Sequence, residues 1–158
     1  MRHLLKCLHI IGTAGLLGGL AALAVVVIVT PASIGAAGYL TLMQTMAAIA
    51  AWIIGPSVLV TIVSGLLAIA VHSPFHDAGW AWAKAATGIL IFEGGLHVMG
   101  PIQEEAKRGA GMLVGNPDSA SVATLLTAEG DTLWVLLAVS VANIALGVWR
   151  PRFSKALP

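Results

Sequence analysis

The fold is decided by the stretch from Leu4 to Val29, which reads LLKCLHIIGTAGLLGGLAALAVVVIV. A helix of about 20 mostly apolar residues crosses a bilayer, so this stretch is long enough to span a membrane. It is also longer than the apolar segment of a signal peptide, which has about 7–15 residues. We therefore expect the chain to begin with a transmembrane helix that is retained.

Three further apolar stretches, residues 38–71, 80–99 and 132–149, are long enough to span a membrane. Pro56 lies inside the second stretch and predicts a kink, because proline lacks the amide hydrogen that a helix needs. The longest connection, residues 101–131, is expected to be an outer loop, with residues 103–108 prolonging the third helix and residues 119–126 forming a short surface helix. The sequence therefore predicts an all-α fold: an integral membrane four-helix bundle, as a single domain over residues 1–158.

The composition excludes an ordinary soluble protein. Apolar residues make up 58% of the chain and charged residues only 9%, against about 25% charged residues in soluble domains. The net charge of +1 gives no basis for nucleic-acid binding. Cys7 is the single cysteine, so an internal disulfide is impossible. The expected surroundings are therefore a lipid bilayer.

The basic residues predict the orientation of the chain in the membrane. Four spans place both termini on one side, and the flanks of cytoplasmic helix ends are rich in Lys and Arg. The terminal segments contain most of these residues: Arg2, Lys6, Arg150, Arg152 and Lys155. The 101–131 connection has Lys107 and Arg108, offset by acidic residues. We therefore expect a multi-pass protein of the inner (cytoplasmic) membrane with both termini in the cytoplasm.

His9 lies near the start of the first span, and Gly12, Gly15 and Gly19 follow it on the same helix face. A stripe of glycines below an imidazole predicts a groove where a flat macrocycle such as haem would lie with its iron on His9. Small residues on one face also let two helices pack closely. The sequence leaves both interpretations open.

Lys84 is predicted to lie at a depth similar to that of His9, because the third helix starts on the side of the membrane where the first one does. Its amine either extends to the membrane surface or pairs with a carboxylate such as a haem propionate. His72 and His76 follow the second span and are also close to His9 in depth. Either is a candidate second axial ligand, the alternative being that both are solvent-exposed.

Glu93 and His97 lie four residues apart in the third span and share a helix face. Ionisable groups at this depth are usually functional, so both residues are candidate metal ligands. At 1.5 Å per residue, His97 lies roughly 20 Å from His9 in height, and the two are not expected to bind one iron. A copper site is the rival interpretation, because Met43, Met46 and Met99 have similar depths and thioethers suit Cu(I). Methionine also fills gaps in apolar cores.

Three short segments resemble the four-helix membrane protoporphyrinogen oxidase family: residues 4–11 (LLKCLHII), residues 54–57 (IGPS) with Gly65, and residues 79–84 (GWAWAK). The resemblance implies that His9 is a haem ligand and that Lys84 is a second functional group. A related family of uncharacterised small integral membrane proteins is a closer likeness and implies a fold without a reaction. Copper-resistance D-type membrane proteins are similar more distantly.

These observations predict a membrane protein that binds haem b and has an electron-transfer or porphyrin-related redox role. Whether it is an oxidoreductase stays open. His9 and Gly12 would form the haem site, His72 or His76 would supply the second ligand, and Lys84 would neutralise a propionate. The alternatives are a copper-handling or small-solute membrane protein, and a cofactor-free structural protein. The expected partners are an electron-transfer protein and a second copy of the chain in a homodimer.

Overall fold

A computed structural model describes residues 2–31, 33–72, 78–111 and 119–149. The elements are α1 (Arg2–Val29), α2 (Ala36–Ile49), a π-helical turn (Ala50–Ile54), α3 (Gly55–Val71), α4 (Gly79–Gly111) and α5 (Ser119–Trp149). The π-helical turn joins α2 to α3 without interrupting the helix. The described chain therefore forms four long helices, which confirms the predicted all-α bundle.

Each of the four helices contains a segment long and apolar enough to cross a membrane. These segments are His3–Val29, Ala37–Val71, Gly79–Glu104 and Leu126–Trp149. Many large apolar side chains lie on the outside of the bundle, including Trp52 and Trp149. A bilayer accepts such side chains directly, and the chain is therefore a multi-pass membrane protein.

The expected outer loop is wrong over most of its length. α4 continues through Gly100 and Pro101 as far as Gly111, and α5 already begins at Ser119. Residues 103–108 read QEEAKR and are mostly strong helix formers, which favours continuation of the helix. Residues 119–126 form the first turns of α5 and not a separate helix, and the fourth span begins at Leu126.

A π-helical turn lies immediately before Pro56, the residue at which the sequence predicts a kink. The amide of Gly55 donates to the carbonyl of Ala50, five residues earlier. A wider turn of this kind is a common way for a helix to absorb a local irregularity. The helix thus continues past the proline into α3.

α1 packs most extensively on α3 and also contacts α5, while α4 packs on α5 and α2. The most deeply buried side chains at the centre are apolar, and they include Leu20, Leu23, Met43, Met46 and Leu133. α1 and α3 run in opposite directions, as do α4 and α5. The start of α1, the end of α3, the start of α4 and the end of α5 therefore lie at the same end of the bundle, here called the termini end.

Candidate functional site

The glycine stripe of α1 is covered by α3. A Cβ atom on Gly12 would lie 2.9 Å from the Thr61 amide nitrogen and 3.0 Å from the Ser57 carbonyl oxygen. One on Gly15 would collide with Ser57 Oγ, and one on Gly19 would lie 2.6 Å from the Ile54 side chain. The structure therefore supports the helix-packing interpretation of this stripe, and Gly12 offers no open face to a macrocycle.

His9 lies at the termini end of this interface, half-buried against α3. Its Nδ1 lies 2.9 Å from the Thr61 carbonyl oxygen and 3.2 Å from Ser64 Oγ. A carbonyl oxygen only accepts hydrogen bonds, so Nδ1 carries the hydrogen. In the neutral imidazole, Nε2 then holds the lone pair. This is the tautomer in which Nε2 can bind a metal ion.

Two neighbours fix the position of the His9 ring. Ser64 is buried, and its hydroxyl lies 2.5 Å from the Val60 carbonyl oxygen, to which it donates. The Ser64 oxygen is therefore free to accept from Nδ1–H. Gly65 leaves room for the ring, because a Cβ atom there would lie 3.2 Å from His9 Cε1. A histidine that ligates a metal usually donates its other ring N–H to a backbone carbonyl or a similar acceptor.

Lys84 extends from α4 across α5. Its Nζ lies over Gly147, where a Cβ atom would approach it to 2.9 Å, and it makes a long contact of 3.4 Å with the Asn143 carbonyl oxygen. Among the described residues, that oxygen is the one hydrogen-bond acceptor that the amine reaches. Lys84 is also close enough to act on the His9 imidazole electrostatically. The structure therefore places both residues near the termini end of the bundle, His9 against α3 and Lys84 against α5.

Asn143 connects α5 to α4 beside Lys84. Its Nδ2 donates to Thr87 Oγ1 at 2.6 Å and to the Lys84 carbonyl oxygen at 3.0 Å. The site predicted from the sequence includes none of Asn143, Ser64, Thr61 and Thr87. Thr87 lies one turn after Lys84, so helical spacing puts the two on the same face. Thr61 contributes its backbone carbonyl, which no side-chain pattern reveals. These residues place a polar layer near the termini end of the bundle.

Of the two histidines predicted as second ligands, the structure describes only His72. His72 follows the last residue of α3 and is partly buried. It lies eight residues beyond Ser64, which corresponds to roughly 12 Å along a helix axis. The structure therefore does not place His72 at the level of His9. His76 lies outside the described residues.

The residues of the outer cluster predicted for copper lie in different surroundings where the structure describes them. Met43 and Met46 are 1% and 0% exposed and belong to the central core, whereas Glu93 and His97 are exposed on α4. The side chain of Met99 lies outside the described part of the structure. Within that described part, no group of three or more His, Cys, Asp and Glu residues is arranged to hold a metal ion.

Comparisons with known proteins supply no relative for this chain. No model of a known protein family matches the sequence, no curated protein matches it, and no solved structure matches its fold. Its function must therefore be argued from its own residues.

Proposed function

We propose that the chain is a haem b-binding membrane protein with an electron-transfer or porphyrin-related redox role, in which His9 Nε2 is an axial ligand of the iron. The hydrogen bonds at His9 Nδ1 are the observation that supports this most strongly. They hold the ring between α1 and α3 and leave the lone pair on Nε2. The same arrangement is usual for histidines that ligate metals.

Lys84 supports the same proposal through its charge. Its amine lies near His9 and has no ion pair with a described carboxylate. A porphyrin carries two propionates, and a nearby ammonium would neutralise one of them. The resemblance of residues 4–11 and 79–84 to the oxidase family points to the same two residues.

The residues present fit one axial ligand and one propionate partner. Gly12 is not part of the proposed site, because α3 already covers it. A bound haem would supply the one-electron chemistry. The chain itself would orient the imidazole through Thr61 and Ser64. The second ligand is assigned to no residue here, since His72 lies at a different level from His9.

The proposed setting is the inner membrane, with both termini in the cytoplasm. Its support is the distribution of Lys and Arg, most of which lie in the two terminal segments. The polar layer with His9 and Lys84 would then lie towards the cytoplasmic side. A redox partner in the cytoplasm would then be on the same side as this layer.

An absorbance spectrum of detergent-purified protein tests the haem proposal. Protein from cells supplied with haem should show a Soret band, with sharp α and β bands after dithionite reduction. The His9→Ala variant should lose these bands, and His3→Ala, which removes an exposed histidine from the same helix, should keep them. A wild-type spectrum without a Soret band would contradict the proposal.

A cofactor-free structural protein is the second candidate, and a specific observation favours it. His9 and Asn143 each hydrogen-bond to a neighbouring helix, which is one way in which polar side chains hold membrane helices together. This candidate predicts a colourless protein in which His9→Ala lowers stability and has no other effect. The same spectrum therefore separates the two candidates.

A further inference from the structure

Glu93 and His97 lie on the outer side of α4. The opposite side of the helix packs into the bundle: Ile91 is buried, and Gly94 faces the Leu136 side chain of α5. Glu93 and His97 are both exposed. Among the described residues, neither side chain has a hydrogen bond or an ion pair.

The depth of Glu93 makes this exposure costly. It lies near the middle of the span Gly79–Glu104. A carboxyl group that faces lipid at this depth loses its hydration without gaining a partner, and intramembrane ionisable residues almost always face protein or a water-filled cavity. The outer side of α4 is therefore expected to be covered by another protein surface.

The pattern of residues around Glu93 matches a helix–helix contact. Exposed positions recur along this side of α4 at alternating steps of four and three, which is the spacing of a coiled-coil contact line. We call this line the α4 seam; it consists of Ala86, Leu90, Glu93, His97, Gly100 and Glu104. Ala86 and Gly100 are small, and a Cβ atom on Gly100 would meet nothing within 4 Å. A second helix can thus approach closely on both sides of Glu93.

We propose that a second copy of the chain covers the α4 seam. The two α4 helices would pack in parallel about a two-fold axis perpendicular to the membrane. Each Glu93 would then lie opposite Glu93 of the partner subunit, and it would reach diagonally to His97 of the partner subunit, one turn or about 6 Å further along the axis. A two-fold interface requires a self-complementary surface, and the seam is self-complementary because it carries both an acid and a base.

This interface is separate from the proposed haem site. Lys84 and Thr87 contact α5 from the inner side of α4, whereas the seam lies on the outer side. The dimer proposal can therefore be tested independently of the haem proposal.

Cysteine cross-linking in membranes tests the position of the interface. In a Cys7→Ser background, Leu90→Cys places a thiol on the seam, and Val135→Cys places one on the outside of α5; the parent side chains are equally exposed, at 63% and 61%. Mild oxidation should give a disulfide-linked dimer with Leu90→Cys and not with Val135→Cys. Absence of that dimer, equal cross-linking at both positions, or a cross-link from Leu90→Cys to a different protein would overturn the proposal.

Mass measurement in detergent tests the Glu93–His97 pairing. Glu93→Leu and His97→Leu should each weaken the dimer roughly tenfold, the effect of losing an interhelical hydrogen bond of the strength measured in model peptides. Gln44→Leu removes another exposed polar side chain from a span and should leave the dimer unchanged. The exchange variant Glu93→His with His97→Glu should restore it. A monomeric wild type, or a Glu93→Leu dimer as tight as wild type, would overturn the pairing.

Discussion

Asn143 and Ser140 lie one turn apart on the same side of α5, yet their side chains differ in hydrogen bonding. Asn143 donates to Thr87 Oγ1 and to the Lys84 carbonyl oxygen on α4. Ser140 is 3% exposed, and its hydroxyl has no partner among the described residues. The amide group thus links two helices, whereas the hydroxyl is buried without an equivalent gain.

This difference predicts opposite effects of two substitutions. Asn143→Leu removes both hydrogen bonds to α4 and should destabilise the bundle by about 1–2 kcal/mol. Ser140→Ala removes a buried hydroxyl that lacks a described partner, so it should be neutral or slightly stabilising. Unfolding by SDS in mixed micelles, followed by circular dichroism, measures both. A loss from Ser140→Ala as large as that from Asn143→Leu would show that the serine has a partner.

At the scale of elements, the close packing of α1 on α3 depends on glycines at particular positions of α1. Gly12 touches the α3 backbone directly, while a Cβ atom on Gly18 would meet nothing within 4 Å. Both glycines lie inside the same helix. Comparing substitutions at the two positions therefore distinguishes the effect of glycine on helix packing from the effect of its low helix propensity.

Replacing each of these glycines by alanine should give opposite results. Gly12→Ala should cost about 1–3 kcal/mol, because the Thr61 amide and the Ser57 carbonyl belong to the α3 backbone and the two helices must separate. Gly18→Ala should be neutral or stabilising, since alanine is the better helix former. Thermal unfolding in detergent provides the comparison. Equal melting temperatures for the two variants would mean that α1 and α3 do not pack as described.

Helix positions were predictable from the sequence, but helix ends were only partly so. Apolar length identifies the membrane-crossing part of each helix, because the bilayer sets a minimum length. It does not mark where the helix stops beyond the membrane, where local propensity takes over. For this reason α4 runs past Pro101 and α5 starts at Ser119, in the region expected to be a loop.

At the scale of the whole molecule, the depth of a residue in the membrane was easier to predict than the residues that it contacts on other helices. Counting residues along each span placed His9 and Lys84 at one level, and the structure places both near the termini end of the bundle. Helical spacing identified the glycine stripe but not the helix that covers it. Thr61 was missed because it contacts His9 through its backbone carbonyl, which every residue type has. Thr87 was missed because threonines in membrane helices commonly donate to a carbonyl four residues earlier, as Thr13 does. A sequence does not distinguish such a threonine from one that contacts another helix.

The orientation of the whole bundle leads to a last prediction, which rests on the charges outside the spans. An even number of spans places both termini on one side, and Lys and Arg favour the cytoplasm. In a Cys7→Ser background, the Ser154→Cys variant should react with a membrane-impermeant maleimide only after the cells are opened. The Asp118→Cys variant, in the connection between α4 and α5, should react in intact cells. The reverse pattern would place the termini outside, and the polar layer with His9 and Lys84 would then face the outer side of the membrane, away from a cytoplasmic redox partner.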